Sequence, residues 1–399
     1  MMTNSKDSEH ILPEEFHDIA PYDDSQFHDK MRNLVKEPGF EHAVRYVMPD
    51  VDYDEFCREL LQVPTQDDFQ RGIMGKFLEF LAARTTSGIS FDGVENLKPG
   101  TSYTFITNHR DIVLDASFLN LCFIRKGMPV TQVAIGNNLL IYEWISDLVK
   151  LNRSFIVKRD VKITDALNAA RQLSAYIHYT ISQRHESVWI AQREGRAKDS
   201  NDLTQESLIK MLGLAGEGSV RERLMEVNLM PVSISYEYDP NDYLKASEFL
   251  MRRRDPHFHK SKRDDLLSME TGLLSPKGRI HFRIGPCINE GLASFGSDER
   301  SPVVRETCRL IDTAIHRGYH IYPCNYIAYD EYHGTERFAD CYTADDVQRF
   351  DNYINAQLDK VEIPDVSNEE RAYMRHMVLM MYANPLVNQL RAQGVKTDA

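Results

Sequence analysis

The stretch TFITNHRDIVLDASFLN, residues 104–120, passes from a short β-rich run into a longer helical one. Its first four residues are β-branched or aromatic, which is typical of a buried strand. Apolar residues then return at helical spacing from Ile112, so the pattern predicts a helix over about 112–125. His109 therefore follows the carboxyl end of a strand, where open α/β sheets place their ligands.

The same alternation of strands and helices continues along the chain. Strand-like runs lie at residues 101–107, 130–135, 154–158, 187–191, 229–236 and 279–285. Helical candidates lie at about 112–125, 138–150, 162–184 and 204–213. Strands that alternate with helices predict an α/β fold with a mostly parallel sheet flanked by helices.

Both ends of the chain differ from this alternating region. Residues 1 to about 38 are acidic and turn-rich, with no sustained period. Apolar positions then recur at helical spacing as far as Arg84, which predicts two or three helices, and another helical run closes the chain at 371–390. We therefore predict an acidic, helical N-terminal region (1–85), an α/β domain (86–330) and a helical C-terminal cap (331–399).

Composition narrows the functional class. The chain has 399 residues and a net charge of −13, about −9 of which lies in the first sixty residues. This acidity argues against a nucleic-acid-binding protein. The six cysteines form no C-x-x-C pair, and neither a signal peptide nor an apolar run of spanning length is visible. A soluble cytoplasmic enzyme is the expected class.

The triplet His109-Arg110-Asp111 also occurs in protein-kinase catalytic loops, but its surroundings do not match a kinase. A kinase loop carries a metal-binding Asn five residues after the Asp, where this chain has Ala116. The chain has no G-x-G-x-x-G loop before the triplet and no D-F-G or A-P-E after it. The kinase interpretation is therefore rejected.

A histidine beside a carboxylate fits general-base chemistry instead. Asp111 stands at the start of the predicted helix, and Asp115 lies within its first turns. Either carboxylate can accept the ring N–H of His109 and leave the other ring nitrogen basic. The alternative is that Asp111 or Asn108 merely caps the helix.

Four blocks, in order, resemble the motifs of the glycerolipid acyltransferase superfamily, in particular its glycerol-3-phosphate and 1-acylglycerol-3-phosphate acyltransferases. They are NHRDIVLD (108–115), RSFIVKRD (153–160), REGRAKD (193–199) and MPVSISY (230–236). The family carries His-x-x-x-x-Asp after a strand, a Phe-Ile-x-Arg block, Glu-Gly-x-Arg, and a strand with an early Pro. The resemblance covers about residues 100–285.

Two positions depart from the family pattern. Leu114 stands where the family has its Asp, and Asp115 follows one residue late. Either a local bulge or turn absorbs the extra residue, or Asp111 takes the role; Asp115 is favoured because the family's Asp also precedes an apolar helical run. The third block is compressed, because Glu194-Gly195-Arg196 lacks the spacer residue.

The resemblance implies an O-acyltransferase that moves a fatty acyl group from acyl-CoA or acyl carrier protein to a hydroxyl of glycerol 3-phosphate or a lysolipid. His109 would be the general base and Asp115 its partner, with no metal and no cofactor beyond the acyl thioester. Basic and turn residues at the same edge of the sheet would bind the substrates, since arginine suits phosphate oxygens. These candidates are Arg110, Lys158, Arg159, Arg193, Glu194, Gly195 and Arg196.

Other interpretations stay open at this stage. The chain can be a binding or scaffold protein that kept the fold, or a hydrolase in which His109 activates water on a thioester or ester. The basic segment 251–265 is either an exposed loop or a contact for anionic lipid or acyl carrier protein, so peripheral contact with the inner membrane surface is a second expectation. The apolar helix 137–152 and the Met-rich terminal helix 371–390 are either core or acyl-chain contacts.

Overall fold

The computed structural model describes residues 12–159 and 161–398, and its central element is a seven-stranded sheet. The strands are β1 (Gly88–Asp92), β2 (Thr104–Thr107), β3 (Gln132–Gly136), β4 (Ser154–Val157), β5 (Val188–Ala191), β6 (Leu229–Tyr236) and β7 (Arg279–Ile284). Their order across the sheet is β1-β7-β6-β2-β5-β3-β4. All neighbouring pairs are parallel except β6 and β7, which are antiparallel. The predicted α/β fold with a mostly parallel sheet is confirmed.

The helices precede, connect and follow these strands. They are α1 (Asp24–Leu34), α2 (Pro38–Val47), α3 (Tyr53–Gln62), α4 (Gln66–Asp68), α5 (Gly75–Thr85), α6 (Leu114–Arg125), α7 (Glu143–Leu151), α8 (Ile163–Ser182), α9 (Glu206–Leu212), α10 (Val220–Glu226), α11 (Asp242–Arg254), α12 (Lys262–Leu274), α13 (Asn289–Ala293), α14 (Arg300–Arg317), α15 (Pro323–His333), α16 (Ala344–Leu358) and α17 (Asn368–Ala392). A π-helical turn, Phe69–Met74, joins α4 to α5.

The strand period of two residues divides the core between the two faces of the sheet. Ile106 of β2 packs with α8 and α14 on one face. Its neighbour Phe105 packs with α5 and α6 on the other, together with Trp189 of β5. Adjacent residues point to opposite faces of a strand, so even these four-residue strands contribute to both cores.

Two further hydrophobic clusters lie outside the sheet. One joins α11 and α15–α17, and the other joins α1–α3 and the π-helical turn to α7. Helix α1 was not predicted as a separate helix, because it lies in an acidic, turn-rich segment. It is held by an Asp23 capping box and buries Phe27, Met31 and Leu34 at helical spacing. Residues 1–11 of the predicted acidic region lie outside the described residues.

Within the described residues, every helix falls short of the length or the hydropathy that crossing a membrane requires.

Candidate active site

The loop between β2 and α6 carries the predicted histidine. Asn108, the first loop residue, is completely buried and binds the main chain of β6. Its side-chain nitrogen donates to Ile234 O at 2.9 Å, and Ile234 N donates to its side-chain oxygen at 2.8 Å. These two hydrogen bonds take the place of the main-chain pairing between neighbouring strands, and they fix the loop at the edge of the sheet. Asn108 is therefore an anchor of the loop, which the sequence did not predict.

His109 and Asp115 are in direct contact. His109 Nδ1 lies 2.8 Å from Asp115 Oδ2. The same oxygen accepts the main-chain N–H of Arg110 at 2.6 Å and of Asp111 at 3.1 Å. The loop thus curls around one carboxylate oxygen, which accommodates the extra residue before Asp115. A carboxylate that faces Nδ1 holds the proton there and leaves Nε2 basic.

The free side of the imidazole faces a cavity. The ring of His109 is 12% exposed and lines that cavity. Trp189 of β5 meets it edge to face, with ring centroids 5.8 Å apart and an interplanar angle of 65°. Among the described residues, Nδ1 is the one ring nitrogen with a protein partner. Nε2 is therefore available to a group bound in the cavity.

Asp111 has a different task from Asp115. Its Oδ1 accepts the main-chain N–H groups of Val113 at 2.9 Å and Leu114 at 2.8 Å, which caps the start of α6. Its Oδ2 is buried without a hydrogen-bond partner. Burial, followed by the nearby charge of Asp115, raises the pKa of Asp111 above its ordinary value of 3.8. The capping interpretation holds for Asp111, and the contact with His109 belongs to Asp115.

The raised pKa predicts how Asp111→Asn changes stability with pH. Above pH 3.8 the unfolded carboxyl releases its proton while the folded one still holds it, so this group lowers the stability as pH rises. Asparagine keeps the capping oxygen and removes the titration. Urea unfolding from pH 4 to 7 should show the variant gaining stability relative to the parent as pH rises. Parallel stability curves would contradict this.

The cavity has a volume of about 1240 Å³ and is mostly apolar. One wall belongs to the sheet and the loops at its edge, including His109, Trp189 and Gly136. The other walls belong to α7, α8 and α12 and to the N-terminal helices. This volume exceeds that of typical small-molecule pockets, which is about 300–1,000 Å³. The cavity has room for a long apolar group in addition to a small polar substrate.

The compressed third block forms a turn at the polar end of this cavity. Gly195 has φ of 66°, a left-handed conformation that glycine adopts without strain. Glu194 is exposed, and its N–H donates to Gln205 Oε1 at 2.8 Å. Arg193 and Arg196, on either side, line the cavity, and Arg196 is only 8% exposed. The structure thus brings this whole block to the same cavity as His109.

The cations around the cavity differ in how they are neutralised. Lys158 is paired with Asp18 at 2.5 Å, and Arg159 with Glu194 at 3.3 Å. In the described parts of the chain, Arg193 and Arg196 have no carboxylate partner. Arg193 Nε is buried without a hydrogen bond. The Asn241 side-chain amide is oriented so that its nitrogen donates to Ser268 O and its oxygen accepts from Arg196 Nη1 at 3.0 Å. These two arginines are the cavity's best donors for an anionic substrate.

Lys198 adds a further cation that the sequence did not single out. It lines the cavity and pairs with the buried Glu248 at 3.0 Å. Burial, followed by the charge of Lys260, lowers the pKa of Lys198 to about 8. Glu248 also binds Lys260 and Arg252, so this cluster carries net positive charge beside the cavity.

Arg110 does not belong to the cavity, which corrects its predicted substrate-binding role. Arg110 is 5% exposed and is not among the residues that line the cavity. Its guanidinium instead pairs with the buried Asp202 at 2.9 Å. The ring of Tyr319 lies 5.7 Å from the guanidinium, and the Tyr319 hydroxyl donates to Asp202 at 3.3 Å. Sequence adjacency to His109 gave no information on this direction.

The Arg110–Asp202 pair is expected to be important for stability. Asp202→Asn leaves a buried guanidinium without its counter-charge, which costs about 3–5 kcal/mol. Urea unfolding measures this loss. As a control, Glu79→Gln removes the exposed partner of Arg125, 2.6 Å away, and should cost less than about 1 kcal/mol. Equal losses in the two variants would show that the buried pair has no special role.

Two other sequence expectations concern the apolar helices. Trp144 and Leu148 of α7 line the cavity while they also pack on the N-terminal helices. The Met-rich helix α17 instead buries Met374 and Met381 in the C-terminal cluster and contributes nothing to the cavity lining. The acyl-contact alternative therefore fits α7, and the core interpretation fits α17.

Two arginines of the basic segment 251–265 form ion pairs with carboxylates elsewhere in the protein. Arg253 pairs with Glu369 at 3.1 Å and Arg254 with Glu370 at 2.7 Å. These bonds tie α11 to the start of α17.

Among the described residues, no group of three or more His, Cys, Asp or Glu side chains is placed to hold a metal ion.

Comparison with known proteins gives a fold-level likeness only. No protein-family model matches the sequence, and no curated protein matches it significantly. Among solved structures, the 1-acyl-sn-glycerophosphate (LPA) acyltransferase PlsC from Thermotoga maritima is similar over 72% of this chain and 95% of its own, at 12% identity and a TM-score of 0.36. A likeness of this degree assigns no activity, which has to be judged from the geometry of the site.

Proposed function

We propose that the protein is an O-acyltransferase that uses a fatty acyl thioester as donor and a small phosphorylated polyol, of the glycerol 3-phosphate type, as acceptor. The observation that carries the proposal is the His109–Asp115 pair, whose free imidazole nitrogen opens into a large apolar cavity. A histidine held by a carboxylate supplies a base, and the cavity supplies room for an acyl chain.

The proposed reaction needs one base and no covalent enzyme intermediate. Nε2 of His109 takes the proton of the acceptor hydroxyl as that oxygen attacks the thioester carbonyl carbon. The new C–O bond forms, the C–S bond breaks, and the imidazolium returns the proton to the leaving thiolate. Asp115 stabilises the imidazolium while it exists, as a carboxylate does in hydrolytic triads.

Charge near the cavity supports an anionic acceptor. Arg193 and Arg196 line the cavity without carboxylate partners among the described residues, and Lys198 lies close in sequence on the same loop. Guanidinium groups bind phosphate oxygens in a bidentate manner. Acyl-CoA and acyl carrier protein both remain proposed donors, and cytoplasmic location and contact with a membrane surface remain predictions.

Thiol release distinguishes transfer from hydrolysis. Purified protein is mixed with palmitoyl-CoA, with and without glycerol 3-phosphate, glycerol or a lysophosphatidic acid, and free thiol is followed with a chromogenic reagent. Release that requires a phosphorylated acceptor is expected. Equal release without acceptor would identify a hydrolase. If neither palmitoyl-CoA nor palmitoyl acyl carrier protein releases thiol, the proposal is contradicted and the binding or scaffold interpretation is favoured.

A further inference from the structure

The N-terminal helices form a wall of the cavity. Residues of α1, α2, α3 and the π-helical turn line it, although they lie outside the segments that resemble acyltransferase motifs. The lining includes Met31, Phe40, Val44, Phe56, Leu60 and Phe69. All six are apolar. Among the described lining residues of this wall, Gln70 is the one polar side chain and none is charged, so the wall suits an apolar chain better than a small, charged acceptor.

This wall is separate from the core that carries the catalytic loop. Phe40, Leu60 and Phe69 belong to the N-terminal cluster, which packs on α7. Trp189, which contacts His109, belongs to the cluster on the sheet face. A cavity lined by both clusters therefore extends from His109 into the N-terminal helices.

The N-terminal helices are fixed in place by polar bonds to the segment around α7. Lys30 pairs with Asp147 at 3.1 Å. Gln66 is buried and donates through its amide to the carbonyl oxygens of Lys150 at 3.1 Å and Leu151 at 2.9 Å. Bonds from a buried amide to the end of a neighbouring helix hold this wall at a set distance. A wall fixed in this way limits the length of what it encloses.

We propose that residues 24–74 are an acyl-chain-binding layer that sets the longest chain the protein accepts. This inference rests on the proposed function, because it assigns the cavity to the acyl group of the donor. The methyl end of the chain lies against α2, α3 and the π-helical turn, and the thioester end lies at His109. Chain length is then set by side chains far in sequence from the catalytic loop.

Substitutions at two positions should change the longest acyl chain that the cavity accepts, one shortening it and the other lengthening it. Ala43 of α2 lines the cavity with a small side chain, so Ala43→Phe fills space that the chain would occupy. Phe56 of α3 lines the cavity with a large one, so Phe56→Ala lengthens the space. Phe80→Ala is a matched control, because Phe80 lies on α5, is 41% exposed and is outside the cavity lining.

Binding of free fatty acids tests the proposal without any transfer step. Saturated acids of 8 to 18 carbons are titrated into the parent chain and the three variants by calorimetry. Affinity should rise about fourfold per methylene up to a limiting length, after which it stops rising. Ala43→Phe should shorten that limit by two or more carbons, Phe56→Ala should lengthen it, and Phe80→Ala should leave it unchanged.

The outcomes separate this inference from the proposed function. A limit that moves as described supports the acyl-binding layer even if no thiol is released in the transfer assay. A limit that moves in neither Ala43→Phe nor Phe56→Ala, or no binding of any acid to the parent chain, overturns it even if transfer occurs. If Ala43→Phe fails to fold, as judged by its circular dichroism, Phe56→Ala alone decides through the opposite shift.

Discussion

Replacing His109 by glutamine should lower the rate of acceptor-dependent thiol release by about 10²- to 10⁴-fold, which is the usual contribution of a positioned general base. Glutamine keeps a polar side chain of similar reach but cannot take the proton of the attacking hydroxyl. The loss should fall on kcat, because His109 contributes only one edge of the large apolar cavity to which the proposal assigns donor binding. Fatty acid binding should be unchanged in the same variant.

A second histidine–aspartate pair on the same sheet provides the control. His281 of β7 is 9% exposed and lies 3.6 Å from Asp92, but it is not part of the cavity lining. His281→Gln should keep activity within about twofold, because it touches no reacting atom. Comparable losses in the two variants would mean that His109 acts through the fold, and full activity in His109→Gln would remove it from the mechanism.

Asp115→Asn should lower kcat by about 10³- to 10⁴-fold, as the same change does in a hydrolytic triad. Three N–H groups converge on Asp115 Oδ2, from the His109 ring and from the main chain of Arg110 and Asp111. Asparagine can satisfy them with its oxygen, but it has no negative charge to stabilise the imidazolium. We therefore expect a large fall in kcat, measured by steady-state kinetics, and only a small change in the free energy of unfolding, measured in urea.

Asp111→Asn is the matched comparison for this prediction. Asp111 caps α6 through an oxygen that asparagine retains, and it has no contact with the His109 ring. Its activity should stay within about tenfold of the parent, since no hydrogen bond to the base is lost. A larger loss in Asp111→Asn than in Asp115→Asn would reverse the roles assigned to the two carboxylates.

The strands could be predicted where they form continuous apolar runs. The predicted run 229–236 coincides with β6, and the run 279–285 differs from β7 by one residue. β1 was missed because its residues alternate between exposed and half-buried at the edge of the sheet, which leaves no apolar run. The sequence pattern reports burial, so a strand such as β1, which is only partly covered and on one face, through Ile89 and Phe91, gives little signal.

The site could be predicted in part. The offset between His109 and Asp115 is one residue longer than the family spacing, but the loop folds around the carboxylate, and spacing alone cannot show such a turn. Arg110 was placed in the cavity because of its neighbour, whereas its direction depends on Asp202, which is distant in sequence. Helical spacing also identified apolar faces in the N-terminal helices without showing that they face a cavity rather than solid core.

Mass spectrometry of the acylated product tests the central claim most directly. Isotope-labelled palmitoyl-CoA and glycerol 3-phosphate are incubated with the parent chain and with His109→Gln, and labelled acylglycerol phosphate and labelled free palmitate are measured together. The proposed function predicts labelled acylglycerol phosphate as the main product of the parent chain and a yield at least 100-fold lower from the variant. Labelled palmitate as the main product, or equal yields of ester from both proteins, would contradict a base-catalysed acyl transfer at His109.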